Sequence, residues 1–102
     1  MFGDLMGKLK EAQKQMEQIK GRLNNIYVNA ESTDKDIKVT INGNRVVRDI
    51  VIDKALLING NTEELQNKLV HTINKAIEQA NKLNESEMQG AAKSMLPGFP
   101  GL

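Results

Sequence analysis

The chain contains no cysteine and no tryptophan, and only one tyrosine, two phenylalanines, two prolines and one histidine in 102 residues. Without cysteine there is no disulfide, no thiolate nucleophile and no thiolate metal site. A reducing interior suits such a chain. With three aromatic residues, a large core within one copy is not expected, and association is one way a small core is completed. The one histidine, His71, has no cluster of carboxylates to form a metal site with it and reads as a surface or boundary side chain. Asp49 and Asp53 bracket a strand without the marks of a buried acid–base pair. Asp53 reads instead as the cap of the turn at Lys54-Ala55. No glycine-rich phosphate loop follows a strand, because Asn59-Gly60-Asn61 is a turn. The expectation is a protein that is not an enzyme and needs no cofactor or metal. No apolar run approaches the length of a membrane span. The opening, interrupted by Asp4 and Lys8, lacks the core of a signal peptide. The reading is a soluble, cytoplasmic protein with no membrane partner and no small-molecule substrate.

Net charge is +1, so total charge selects no partner. Its distribution is more informative. Residues 1–25 carry five bases and three acids, residues 26–60 five of each, and residues 61–102 four bases and five acids. The small basic excess therefore sits at the start of the chain. There the apolar residues Phe2, Leu5, Leu9, Ala12, Met16, Ile19, Leu23 and Ile26 alternate steps of three and four, which makes a heptad seam. The positions flanking the seam are Lys8, Gln15 and Arg22 on one side and Met6, Gln13 and Lys20 on the other. No acid occupies either flank, whereas a self-pairing coiled coil sets acids against bases there. The spacing predicts a helix from Gly3 or Asp4, with Asp4 as its N-cap, to Asn24. Gly21 weakens its interior.

Three strands follow by alternation: 26–32, 37–41 and 45–53. Asn42-Gly43 between the second and third predicts a tight hairpin with a type I′ turn. The third strand is apolar on both faces, with Ile50 and Ile52 on one and Val47 and Val51 on the other, so both faces are expected to be covered. Residues 55–58 predict a helical turn at the sheet edge. Asn61 with Glu64 has the spacing of a capping box. Leu65, Leu69, Ile73, Ala76, Ala80 and Leu83, widened by Val70 and Ile77, predict a second amphipathic helix to about Met88 or beyond, with Gly90 ending or loosening it. The composition divides the chain into one helix–sheet–helix domain over 1–90 and a flexible Pro/Gly-rich tail over 91–102, in which Leu96 and Phe99 are the candidates for any docking. The fold class is α+β. The long first helix has more seam than a three-stranded sheet can cover, so the part from Leu5 to Met16 is expected to be exposed or to meet another chain.

The ordered set Met1-Phe2-Gly3, Leu5-Met6, Lys8, Ala12-Gln13, Met16, Lys38-Val39-Thr40-Ile41-Asn42-Gly43, Ile50-Val51-Ile52-Asp53, Leu56-Leu57, Leu69-Val70, Asn74-Lys75-Ala76 and Leu96-Pro97-Gly98-Phe99 resembles the bacterial YbaB/EbfC family of nucleoid-associated proteins over nearly the full length. Two departures concern loops: Thr33–Asp36 lacks the family's glycines, and Lys54 stands where proline commonly follows the Ile-Asp pair. The resemblance implies a homodimer through the sheets, with the first helices projecting as paired arms. It also implies double-stranded DNA as partner and a place on the nucleoid. Carried over, its DNA-binding positions are Lys8, Lys10, Lys14, Lys20 and Arg22, with Lys75 and Lys82 of the second helix. Read without the resemblance, the same bases are either a solvated face or an anion-binding face. The apolar seam leaves a second possibility open, a module that docks a partner helix on residues 2–26. No aromatic stacking platform or recognition-helix motif is present.

Overall fold

The computed structural model describes residues 2–59 and 61–95. Its elements are α1 (Phe2–Asn24), β1 (Tyr27–Glu31), β2 (Ile37–Asn42), β3 (Val47–Ile52), α2 (Lys54–Asn59) and α3 (Thr62–Met95). The strands form an antiparallel sheet in the order β1-β2-β3. The α+β class and the helix–sheet–helix order expected from the sequence are therefore observed.

The sheet has one covered face. Alternation along β2 sends Ile37, Val39 and Ile41 inward, and Ala30 of β1 joins them in the core. Above them lie Ala76 and Ala80 of α3, both fully buried. Small side chains at these positions let the helix approach the strands closely. Leu65, Leu69, Ile73 and Ile77 close the sides, and Leu56 of α2 plugs one end. The helix packs over β2 and β1 rather than β3.

Two side-chain caps are as the spacing predicts. Asp53 Oδ1 accepts from Ala55 N–H at 2.9 Å, and Asn61 Oδ1 accepts from Glu64 N–H at 2.7 Å. Asp4 is different: α1 already starts at Phe2, so Asp4 lies in the first turn, where its charge favours the helix dipole. Gly90 does not end α3, which continues through it to Met95. Five residues assigned above to the tail are thus helical. Leu96 and Phe99 lie outside the described residues.

The β2–β3 hairpin falls where Asn42-Gly43 predicts, but its turn is of another kind. Arg45 N–H donates to the Asn42 carbonyl at 3.0 Å, and Asn42 N–H donates to the Val46 carbonyl at 3.0 Å. Positive φ occurs at Arg45 (67°), not at Asn42 or Gly43. This is a turn closed by one left-handed residue, with a bulge where β3 resumes its register. The β1–β2 loop, which lacks glycine, also places a left-handed residue, Lys35 (φ 60°).

Gly43 is needed for contact, since its φ is ordinary. A Cβ there would lie 2.7 Å from Leu23 Cδ2 and 2.9 Å from the Leu23 carbonyl oxygen. Gly43 N–H is shared between the carbonyls of Leu23 and Ile26, each at 2.9 Å, and Asn44 Nδ2 donates to the Lys20 carbonyl at 2.9 Å. The turn thereby satisfies the Leu23 carbonyl, which the end of α1 leaves without a helical partner, and adds a second tie one turn earlier at Lys20. Asn42, fully buried, donates through Nδ2 to Asn24 Oδ1 at 2.9 Å and accepts through Oδ1 from the N–H groups of Asn44 and Val46. Asn84 of α3 reaches the Gly43 carbonyl at 3.3 Å. Replacing Gly43 by Ala should destabilise the fold by about 1–3 kcal/mol, because a backbone oxygen cannot rotate away from the new methyl group. Urea unfolding of the two proteins measures this.

At the other end of the sheet, Lys68 of α3 holds the β1–β2 loop. Its Nζ lies 2.6 Å from Asp36, 3.1 Å from Asp34 and 3.5 Å from Glu64. Ser32 Oγ also donates to Asp36 at 2.5 Å and accepts from Ile37 N–H at 3.0 Å. The hydrogen bond from Lys68, then that from Ser32, holds the Asp36 carboxyl below its ordinary range. A depressed carboxylate contributes stability above its unfolded pKa and loses it as pH falls through the folded value. Stability should therefore drop on acidification below about pH 4, and the drop should be shallower in Lys68→Met. Thermal melts across that pH range test it.

Candidate nucleic-acid interface

From Asn24 back toward its start, α1 leaves the fold. Leu23 and Ile19 are buried against the body, while Ala12 and Gln15 are partly covered. Every residue from Gly3 to Glu11 is exposed. The heptad seam is therefore divided, its end near the sheet serving as an anchor and its start forming a projecting arm. Leu5, Leu9 and Met16 are 55%, 52% and 44% exposed.

The second half of α3 runs antiparallel beside the middle of α1. Arg22 Nη2 meets Glu87 Oε2 at 2.7 Å. Further along, Gln15, Ile19 and Arg22 face Ser86, Gly90 and Ala91 across an open cleft of about 360 Å³. The small residues on α3 leave this gap, and Gly90 lines it within an unbroken helix.

The bases named from the sequence divide into groups. Lys8, Lys10 and Lys14 are exposed on the arm, and among the described residues none has a carboxylate within 4 Å. Lys20 is exposed where the arm joins the body. Arg22 is also well exposed but is held by Glu87. Lys75 lies over the sheet and donates to the Glu31 carbonyl at 3.3 Å, away from the arm. Lys82 is exposed on α3, near where the β2–β3 turn meets that helix. The three arm lysines thus share one free helix, whereas Lys75 belongs to a different surface.

One base escaped the sequence reading. Arg45 of the β2–β3 turn lies beside the junction of arm and body, with its Nε hydrogen-bonded to Asn81 Oδ1. Its neighbour Asn44 is bonded to the Lys20 carbonyl. Nothing in the local pattern marks Arg45, because its position depends on the turn docking onto α1. No group of three or more His, Cys, Asp or Glu suited to a metal occurs among the described residues. No helix among them is long and apolar enough to cross a membrane.

These features define a class: a small α+β protein with a one-sided sheet and a helical arm whose free end is basic and apolar by turns. Comparison with known proteins assigns it more closely. Residues 1–95 match the model of the YbaB/EbfC DNA-binding family, and the chain belongs to that family. It is similar to a nucleoid-associated protein of Flavobacterium johnsoniae, 41% identical over 98 residues, covering 96% of this chain and 91% of that one. A nucleoid-associated protein of Psychrobacter arcticus is 34% identical, with 91% and 86% covered. Among solved structures, an uncharacterized protein, HP0035 of Helicobacter pylori, superposes with a TM-score of 0.81 at 21% identity, covering 90% of this chain and 97% of that one. That likeness concerns the fold.

Proposed function

We propose that this protein is a non-catalytic duplex-DNA-binding protein of the bacterial nucleoid, acting as a homodimer whose paired arms neutralise phosphates. The carrying observation is the arm itself, exposed from Gly3 to Glu11, with Lys8, Lys10 and Lys14 free of ion pairs among the described residues. Lysines held on a rigid helix and not spent on internal carboxylates are available to a polyanion. Family membership supports DNA as that polyanion, and the names of the relatives support the nucleoid. Lys20 and Lys82 belong to the proposed contact set, as does Arg22 once it is shared with Glu87. Lys75 is a weaker member because it lies over the sheet.

The proposed dimer interface is the β3 side of the sheet. Val47 and Ile50 pair with the core residues Ile41 and Val39 and so share the core face, the β3 bulge having moved Val47 from the opposite face that simple alternation predicts, but both remain exposed. Val51, paired with Lys38, lies on the other face and is also exposed, and α2, which follows β3 directly, exposes Leu57 and Ile58 (79%). An exposed, apolar edge strand is a template for pairing, and a second copy would bury these residues. Covering β3 also answers the expectation that both of its faces be buried.

A second reading is kept because Leu5, Leu9 and Met16 are exposed on the arm: the seam docks a partner helix. Two measurements separate the readings. Binding of duplex DNA should weaken steeply with salt, and Lys14→Glu should weaken it across all sequences while lowering the log–log salt slope by about 1. Absence of binding at low salt rejects the DNA reading. Sedimentation should give a dimer mass, and Ile50→Lys should give a folded monomer. A wild-type monomer at micromolar concentration rejects the dimer.

A further inference from the structure

The arm carries more than charge. Leu5, Met6 and Leu9 are 55%, 56% and 52% exposed within little more than one helical turn. At 3.6 residues per turn, these three share one face. Lys8 stands about a quarter turn to one side of it and Lys10 about a quarter turn to the other, by the same geometry. Glu11 falls on the opposite side, and Glu17 lies further along toward the body. The free end of α1 is therefore an apolar stripe with a lysine on either flank.

Phosphates alone do not suit such a surface. Apolar side chains gain by leaving water only against other apolar groups, and a helix laid along a phosphate rail would leave the stripe in water. Duplex DNA offers apolar groups between two rails of phosphate. In the major groove these are the 5-methyl groups of thymine, which contact apolar side chains. The major groove, about 12 Å wide, admits a helix about 10–12 Å across, whereas the minor groove, about 6 Å wide, does not. The lysine–stripe–lysine order across the arm is complementary to the groove's phosphate–methyl–phosphate: cation against anion at each edge and apolar against apolar between.

We propose that the free end of α1, residues 3–13, lies in the major groove of duplex DNA with Leu5, Met6 and Leu9 against thymine methyl groups and Lys8 and Lys10 on the flanking phosphates. This rests on the DNA-binding reading above and adds to it a groove and a base feature. The protein then favours thymine-containing sites through contact with the methyl group, with no need for hydrogen-bonded readout of bases.

The test uses the full chain and two duplexes of identical sequence, one with thymidine and one with deoxyuridine at every thymidine position, titrated by fluorescence anisotropy at fixed salt. Removing the methyl groups should weaken binding by roughly fourfold for each methyl covered. The double variant Leu5→Ala, Leu9→Ala should lose most of this discrimination and keep the salt slope of the wild type. Both side chains are exposed, so the fold should be retained, and a circular dichroism melt confirms it. Equal affinity of the wild type for the two duplexes overturns the proposal while leaving phosphate-mediated binding intact. Full discrimination retained by the double variant overturns it as well, and leaves the stripe to a protein partner. Failure to bind either duplex removes the DNA reading and this proposal together.

Discussion

The seating of the end of α1 on the β2–β3 turn is the interaction on which the rest of the structure depends. A helix ends with carbonyls that lack intrahelical partners. Here that of Leu23 accepts from Gly43 N–H, and Asn44 Nδ2 adds a bond to the Lys20 carbonyl one turn earlier, both donors about twenty residues away in sequence. The turn can come this close only because residue 43 has no Cβ. Burial of Asn42 follows from the same contact. Its amide is fully satisfied by Asn24, Asn44 and Val46, so a polar group with 0% exposure is compatible with the fold. One turn thus joins α1, β2, β3 and, through Asn84 and Asn81, α3.

Anchoring at one end has a consequence for charge. Where α1 touches the body its polar side chains find partners, as Arg22 does in Glu87. Beyond Met16 toward the start of the helix no described carboxylate, Asp4 and Glu11 included, lies within 4 Å of a lysine, and the lysines there are left without ion pairs among the described residues. The opposite case is Lys68, which is tied to Asp36, Asp34 and Glu64 and serves to hold the β1–β2 loop against α3. Both are lysines on amphipathic helices. Their roles differ because one helix surface is enclosed by neighbouring elements and the other is not. The sheet repeats the contrast: β2 is covered by α3, whereas β3 packs only Ile52 against the core and keeps Val47, Ile50 and Val51 exposed.

Much of this was legible from local pattern. Heptad spacing located α1, alternation located the strands, and Asn61 and Asp53 were read correctly as caps because a cap is a contact over two or three residues. The misreadings have physical causes. Asn42-Gly43 marked the hairpin, but the glycine answers to Leu23 across space and not to a left-handed φ, which Arg45 takes instead. Of the two readings of Gly90, ending or loosening the helix, the first does not hold: a single glycine costs only about 1 kcal/mol in a helix interior, and the helix continues past it. The lysines of the arm could be listed from sequence, but whether each was free or paired could not. Arg22 and Arg45 show why: Glu87 lies 65 residues from the first and Asn81 36 from the second.

By itself, then, the sequence determined the identity and order of the elements, the buried faces of β2 and α3 and the family, because periodicity, capping and turn chemistry act over a few residues. Tertiary structure alone decided where the seam of α1 divides into anchor and arm, why Gly43 must be glycine, which bases are consumed by partners, and that β3 lies outside the cover of α3. Those outcomes depend on which distant side chains and carbonyls meet, and a contact between residues twenty to sixty-five positions apart leaves no periodic trace along the chain.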